Sequence, residues 1–113
     1  MTTIWHNPRC SKSRQALALL EERGAEITIR RYLDEPPSLA ELHDAQSKLG
    51  LPAIDMIRTG EAAFKEMGLS KSDPDEVLLK AMSEAPKLIE RPVIFSGDKA
   101  VIGRPPEKAL EVF

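Results

Sequence analysis

The chain holds a single cysteine, Cys10, among its 113 residues. A lone cysteine cannot close an internal disulfide, which excludes a disulfide-stapled scaffold and points to a reducing compartment, ordinarily the cytoplasm. Long apolar runs are missing as well. None approaches the roughly 20 residues that cross a bilayer, and the first residues, MTTIWHNP, carry neither a basic cluster nor an apolar stretch. No membrane association and no signal peptide are therefore expected. There is no Gly-rich dinucleotide or nucleotide loop, no internal repeat and no low-complexity tract. His6 and His43 stand far apart, without cysteine or paired carboxylates at ligand spacing, so no metal site is expected. Acidic residues are absent before Glu21, whereas Arg9, Lys12 and Arg14 crowd around Cys10. The net charge of −2 argues against a general nucleic-acid binder. A basic segment in an otherwise acidic chain suits a small anion.

What is present reads as one domain, residues 1–113, large enough for one core and too short for two. Thr3-Ile4-Trp5 is a short strand ended by Asn7-Pro8. Ser11 to Arg23 is a helix with Ala16, Leu17 and Leu20 on its apolar face, and Gly24 stands at its C′ position. Glu26 to Arg30 alternates Ile27 and Ile29 with polar residues, the pattern of a half-buried strand. Strand, helix and strand within about 30 residues make a βαβ unit with parallel strands. A helical stretch follows. Ser38 and Glu41 form a capping box for a helix carrying Leu39, Leu42, Ala45 and Leu49. Ile54 to Glu66 reads as one or two short helical pieces broken near Thr59-Gly60. Asp73 is the expected N-cap of a further helix, with Pro74 at its first position and Val77, Leu78, Ala81 and Met82 inward. Val93-Ile94-Phe95 and Ala100-Val101-Ile102 flank a hairpin turn at Gly97-Asp98. A last short helix begins near Pro105 with Leu110 and Phe113 as its contacts. Trp5, Phe64 and Phe95 are core candidates. The expected fold is α/β and thioredoxin-like: a mixed four-stranded sheet flanked by helices, with a helical insertion after the first βαβ unit.

Cys10 sits in Asn7-Pro8-Arg9-Cys10-Ser11-Lys12-Ser13-Arg14, with no apolar neighbour to bury it. It falls at the start of the first helix, where unpaired N–H groups and the helix dipole favour a negative group. Arg9, Lys12 and Arg14 favour a thiolate there too, with His6 a further candidate. Such surroundings lower a cysteine's pKa from about 8.5 into the range ~3.5–7.5, which activates the nucleophile without a dedicated base. The N–H groups from Ser11 to Arg14, the hydroxyls of Ser11 and Ser13 and the charge of Lys12 are candidate donors to an oxyanion. In Cys-x-x-Ser, Ser13 stands where a two-cysteine motif has its resolving thiol. A covalent redox adduct on Cys10 must then be completed by an external thiol.

His6-Asn7-Pro8-Arg9-Cys10 with Ser13-Arg14, Tyr32-Leu33 with Pro36-Pro37, Ile57-Arg58-Thr59, Glu90-Arg91-Pro92-Val93 and Gly103-Arg104-Pro105 occur in that order along the chain. In these residues the sequence resembles the arsenate reductase family of the glutaredoxin-dependent, thioredoxin-fold type. The resemblance implies that Cys10 attacks arsenate and that Arg58, Arg91 and Arg104 hold the oxyanion and stabilise the covalent adduct. It implies that His6 helps Cys10 ionise and that the Arg91-Pro92 bond is cis. Glutathione, a co-substrate rather than a tightly bound cofactor, then attacks the adduct, arsenite leaves, and glutaredoxin resolves the mixed disulfide. Arginine's forked donors suit an oxyanion better than lysine's point charge. The sequence departs from the best-known reductases in having Ser11 and Lys12 where they have glycine and threonine, and in ending near Phe113 without a longer C-terminal segment.

Two other readings stay open at this point. One is a thiol-disulfide transferase acting on glutathione mixed disulfides. The other is a non-catalytic regulator that binds RNA polymerase, although such regulators usually carry Cys-x-x-Cys, and three oxyanion-type arginines are more than a binding module needs. A monomer is expected.

Overall fold

The computed structural model describes residues 2–112, and the chain divides into two compact units. The first unit combines the chain up to Glu35 with the chain from Arg91 onward. Strand β1 (Thr2–Trp5) leads into helix α1 (Ser11–Glu22) and strand β2 (Ile27–Arg30); strands β3 (Val93–Ser96) and β4 (Lys99–Ile102) come from the far end of the chain. The sheet order is β2-β1-β3-β4. β1 and β2 are parallel, with Ile4 opposite Ile29, whereas β3 runs antiparallel to both β1 and β4. The expected mixed four-stranded sheet is therefore present.

Alternation along β1 sends Ile4 to one face and Trp5 to the other. Ile4 meets Ile94 across the strands and packs with Ala16 and Leu20 of α1 and with Ala109, all fully buried. Ala109 belongs to a closing 3₁₀ helix, Pro106–Val112, so the last element is tighter than the expected α-helix. Leu110 is half-buried there and Phe113 lies outside the described residues. On the opposite face Trp5 tilts against Phe95 at 4.8 Å between centroids, with the Arg30 guanidinium 5.9 Å from the Trp5 ring. Ile29 is 47% exposed. The sequence pattern expected it half-buried, but β2 is the sheet edge, with a neighbour on one side only.

Two backbone features bear on the site. Arg91-Pro92 is cis, as the resemblance implied, and Arg104-Pro105 is cis as well, which was not foreseen. Gly103 lies between them in space. Its N–H donates to the Pro92 carbonyl at 2.9 Å, and a Cβ there would meet Pro92 Cγ at 2.9 Å and Ile94 Cδ1 at 3.0 Å.

The second unit, Pro36–Glu90, is the helical insertion. Helix α2 (Leu39–Leu49) opens on the expected capping box, in which Glu41 N–H donates to Ser38 Oγ and Ser38 N–H to the Glu41 carboxylate. It closes on Gly50 at φ 66°, where glycine's missing Cβ matters. A 3₁₀ turn (Ala53–Asp55) and helix α3 (Ala62–Glu66) are the two short pieces expected between Ile54 and Glu66. Helix α4 (Asp75–Glu84) starts one residue later than expected, with Pro74 as its N-cap. Asp73 does not cap it, because its carboxylate accepts the N–H of Ser70 in the preceding turn. Asp75 instead ties this unit together, accepting from Gln46 Nε2 at 2.7 Å and the Ala53 N–H at 3.3 Å. Leu78, Leu79, Ala81 and Met82 are buried, and Val77 faces out at 44% exposure, so Leu79 takes the inward place expected of Val77. Among the described residues no helix is long and apolar enough to cross a membrane.

Candidate active site

The loop between β1 and α1 is built around Asn7. His6 N–H extends the strand ladder to the Arg30 carbonyl at 2.8 Å, and the chain then turns. Asn7 N–H donates to Ser13 Oγ (3.1 Å), its side-chain oxygen accepts from Arg9 N–H (3.0 Å), and its carbonyl accepts from Cys10 N–H (3.0 Å). Such local side-chain bonding is why asparagine favours turns. Arg14 reaches back to the Pro8 carbonyl at 2.9 Å. The loop is thereby fixed at both ends, and Cys10 arrives as the N-cap of α1 in extended conformation (φ −93°, ψ 122°).

At an N-cap a side chain faces the free N–H groups of the first turn. The Cys10 sulfur closes no full capping hydrogen bond, but the N–H dipoles of Ser13 and Lys12 act on it. Burial alone pushes the thiol up. The Ser13 N–H, the positive charge of Arg91, the Lys12 N–H and a hydrogen bond from the Arg91 side chain together outweigh it and hold the pKa below its ordinary value. Arg91 precedes Pro92 and β3, the strand next to β1, and its guanidinium bonds the sulfur from there. Arg104 in turn donates from its guanidinium to the Arg91 carbonyl at 3.1 Å. Cys10, Arg91 and Arg104 thus form a linked set drawn from both ends of the chain.

The structure distributes the other expected residues differently. Ser11 and Lys12 are exposed at the first turn of α1, with their N–H groups ahead of their side chains in the helix start. Ser13 is fully buried, and its hydroxyl is committed 2.7 Å from His6 Nδ1 as well as to Asn7 N–H, so it is not an open donor to an oxyanion. Its backbone N–H is the group that serves Cys10. His6 is 6% exposed, and its Nδ1 bonds Ser13 Oγ. Burial, then Arg31 and Arg14, lower its pKa against the opposing pull of Glu21, which keeps the ring neutral at pH 7. Ser13 Oγ thus joins the His6 ring to the Asn7 backbone and fixes the orientation of the imidazole. Arg58, in the second unit, pairs with Glu61 at 3.2 Å and donates to the Lys87 carbonyl at 3.4 Å.

Sequence reasoning took Asn7 only as punctuation and gave no role to Arg31 or Gly103. The self-bonding habit of asparagine in Asn-Pro loops was a usable signal for the first; nothing local marks the other two. Beside His6 the first unit also holds a cavity of about 460 Å³, lined in part by Arg9, Arg31, Leu33 and Asp34. No group of three or more His, Cys, Asp or Glu placed to hold a metal ion occurs among the described residues.

Comparison with known proteins accords with this arrangement. The chain is 50% identical over 106 residues to an arsenate reductase of Neisseria meningitidis serogroup A, covering 92% of this chain and 91% of that one. It is 47% identical over 111 residues to an arsenate reductase of Haemophilus influenzae, covering 96% of each. The solved arsenate reductase from Vibrio cholerae superposes with a TM-score of 0.95 at 44% identity, over 99% of this chain and 97% of that one. The fold is accordingly the thioredoxin-like fold of these structures. The family model described as ArsC family matches residues 5–112, and the chain belongs to that family.

Proposed function

We propose that this protein reduces arsenate to arsenite through Cys10, with glutathione and glutaredoxin completing the cycle. The observation that carries the proposal is the setting of the Cys10 sulfur, where the Ser13 and Lys12 N–H groups and the Arg91 guanidinium outweigh burial and lower the thiol's pKa. The same donors that favour a thiolate favour an oxyanion beside it.

The thiolate attacks arsenic(V); an As–O bond breaks, its oxygen leaves as water after taking up protons, and an S–As bond remains on Cys10. A glutathione thiolate then attacks the Cys10 sulfur. The S–As bond breaks with its electron pair passing to arsenic, which departs as arsenite, and Cys10 and glutathione share a disulfide. A glutaredoxin thiolate attacks the glutathione sulfur and returns Cys10 as thiolate. Two electrons reach arsenic and two thiols become one disulfide. With no second cysteine in the chain, the resolving thiol comes from outside. Arg91 and Arg104 supply forked donors to the oxyanion, and Arg58 enters as the third by resemblance. The cycle needs a reducing compartment, so the proposal puts the protein in the cytoplasm, working as a monomer without a tightly bound cofactor.

The test is arsenate-dependent NADPH oxidation by the purified protein with glutathione, glutaredoxin and glutathione reductase. Turnover is expected, and Cys10→Ser abolishes it. No rate above background, or a rate that survives Cys10→Ser, removes the proposal; turnover of a glutathione mixed disulfide in place of arsenate identifies a transferase instead.

A further inference from the structure

The cavity beside His6 is charged in a particular way. Arg9 comes from the loop that delivers Cys10, and Arg31, Leu33 and Asp34 come from the turn after β2. That turn is held by two bonds to one acceptor, since the Arg31 carbonyl accepts from Asp34 N–H (3.0 Å) and Glu35 N–H (2.9 Å). The side chains of Arg9, Arg31 and Asp34 make no hydrogen bond or ion pair among the described residues, so the charges are available. His6, only 6% exposed, lines the same space. Leu33, 40% exposed, adds an apolar wall. The volume, about 460 Å³, lies within the ~300–1,000 Å³ of small-ligand clefts.

Resting on the glutathione-dependent reading above, we propose that this cavity is the glutathione subsite, with the zwitterionic γ-glutamyl end held by Arg31 and Asp34. The argument is a match of charges. Glutathione carries two carboxylates and one ammonium; the cavity carries two guanidinium groups and one carboxylate. Arg31 and Asp34, three residues apart on one rigid turn, answer the carboxylate and ammonium that share one carbon at the γ-glutamyl end. Arg9 is left for the glycyl carboxylate and belongs to the loop that carries Cys10, the sulfur the central thiol attacks. Arsenate, with no cation and no apolar part, uses neither Asp34 nor Leu33.

Direct binding to the resting protein decides the matter without turnover. S-methylglutathione, which cannot react, is titrated and followed by amide chemical shifts, beside S-methylcysteinylglycine, which lacks the γ-glutamyl end. The wild type is expected to bind the first about tenfold more tightly, the scale of one charge-assisted pairing. Arg31→Ala and Asp34→Ala, both at exposed positions, are expected to erase most of that preference while leaving affinity for the shorter ligand within about twofold. Shifts are expected at Arg9, Leu33 and Asp34. A preference that persists in both variants, or the lack of any wild-type preference, overturns the subsite. Either result leaves arsenate turnover through Cys10 untouched, so loss of this inference is distinguishable from loss of the reductase reading.

Discussion

The acidity of Cys10 is assembled from groups of unequal reach. The Ser13 and Lys12 N–H groups are fixed by α1 and would serve any residue at that N-cap, whereas Arg91 arrives from the other end of the chain. Arg91→Gln therefore removes a charge and a hydrogen bond without touching the helix. The rate of iodoacetamide alkylation against pH is expected to show a midpoint below the ordinary ~8.5 in the wild type and to move toward that value in the variant. A wild-type midpoint at or above ~8.5, or an unmoved midpoint in Arg91→Gln, contradicts the assignment. Much of this was legible in the sequence: Cys10 at a helix start among cations, and Arg91 before a proline at a strand start. The partner of Ser13 was not legible. A hydroxyl in a first turn serves a cap, a ligand or a buried neighbour equally well, and only the fold brings His6 to within 2.7 Å of it.

Elements transmit this arrangement through one crowded crossing. Gly103 follows β4, its N–H bonds the Pro92 carbonyl, and its missing side chain leaves room for Pro92 and Ile94. In Gly103→Ala the new methyl faces Pro92 Cγ at 2.9 Å and Ile94 Cδ1 at 3.0 Å, with Ala16 of α1 at 3.4 Å. Both near atoms belong to buried side chains, so a shift is costly, about 1–3 kcal/mol by analogy with other overpacked cores. Because Pro92 is bonded to Arg91, the variant is also expected to raise the alkylation midpoint of Cys10, which a loss of stability elsewhere would not do. Urea denaturation and the alkylation profile read the two effects, and a variant as stable as the wild type removes the argument. Elements themselves were largely readable where local chemistry is decisive, as in the Ser38–Glu41 capping box and the Gly97 turn. Reading failed where packing or a competing turn decides. Val77 and Leu79 exchange places because the buried face of α4 is set by its packing within its own unit, and Asp73 serves Ser70 instead of the helix.

On the scale of the whole molecule, the site makes stability depend on pH in one direction. Cys10 has a lower pKa in the folded protein than in an unfolded chain, so across the interval between the two values the unfolded state holds more protons. Its contribution is fully present above the unfolded value, about 8.5, and is lost as pH falls through the folded one. His6 adds the same sign, because burial and the charges of Arg31 and Arg14 lower its pKa too; its contribution is present above the unfolded value of about 6.5 and is lost as pH falls through the folded one. Cys10→Ser removes the first contribution and keeps the second. Urea midpoints taken in steps from pH 5 to pH 9 are therefore expected to separate. The difference between wild type and Cys10→Ser should grow with pH until about 8.5 and then stay level, with a slope no steeper than the ~1.4 kcal/mol per pH unit of one proton. Both proteins should still lose stability on acidification below about 6.5 as His6 is forced to take up a proton. A difference that is flat across the range, or that shrinks as pH rises, would mean that the folded protein does not favour the thiolate. The donors around Cys10 would then be holding the loop in place rather than preparing the sulfur.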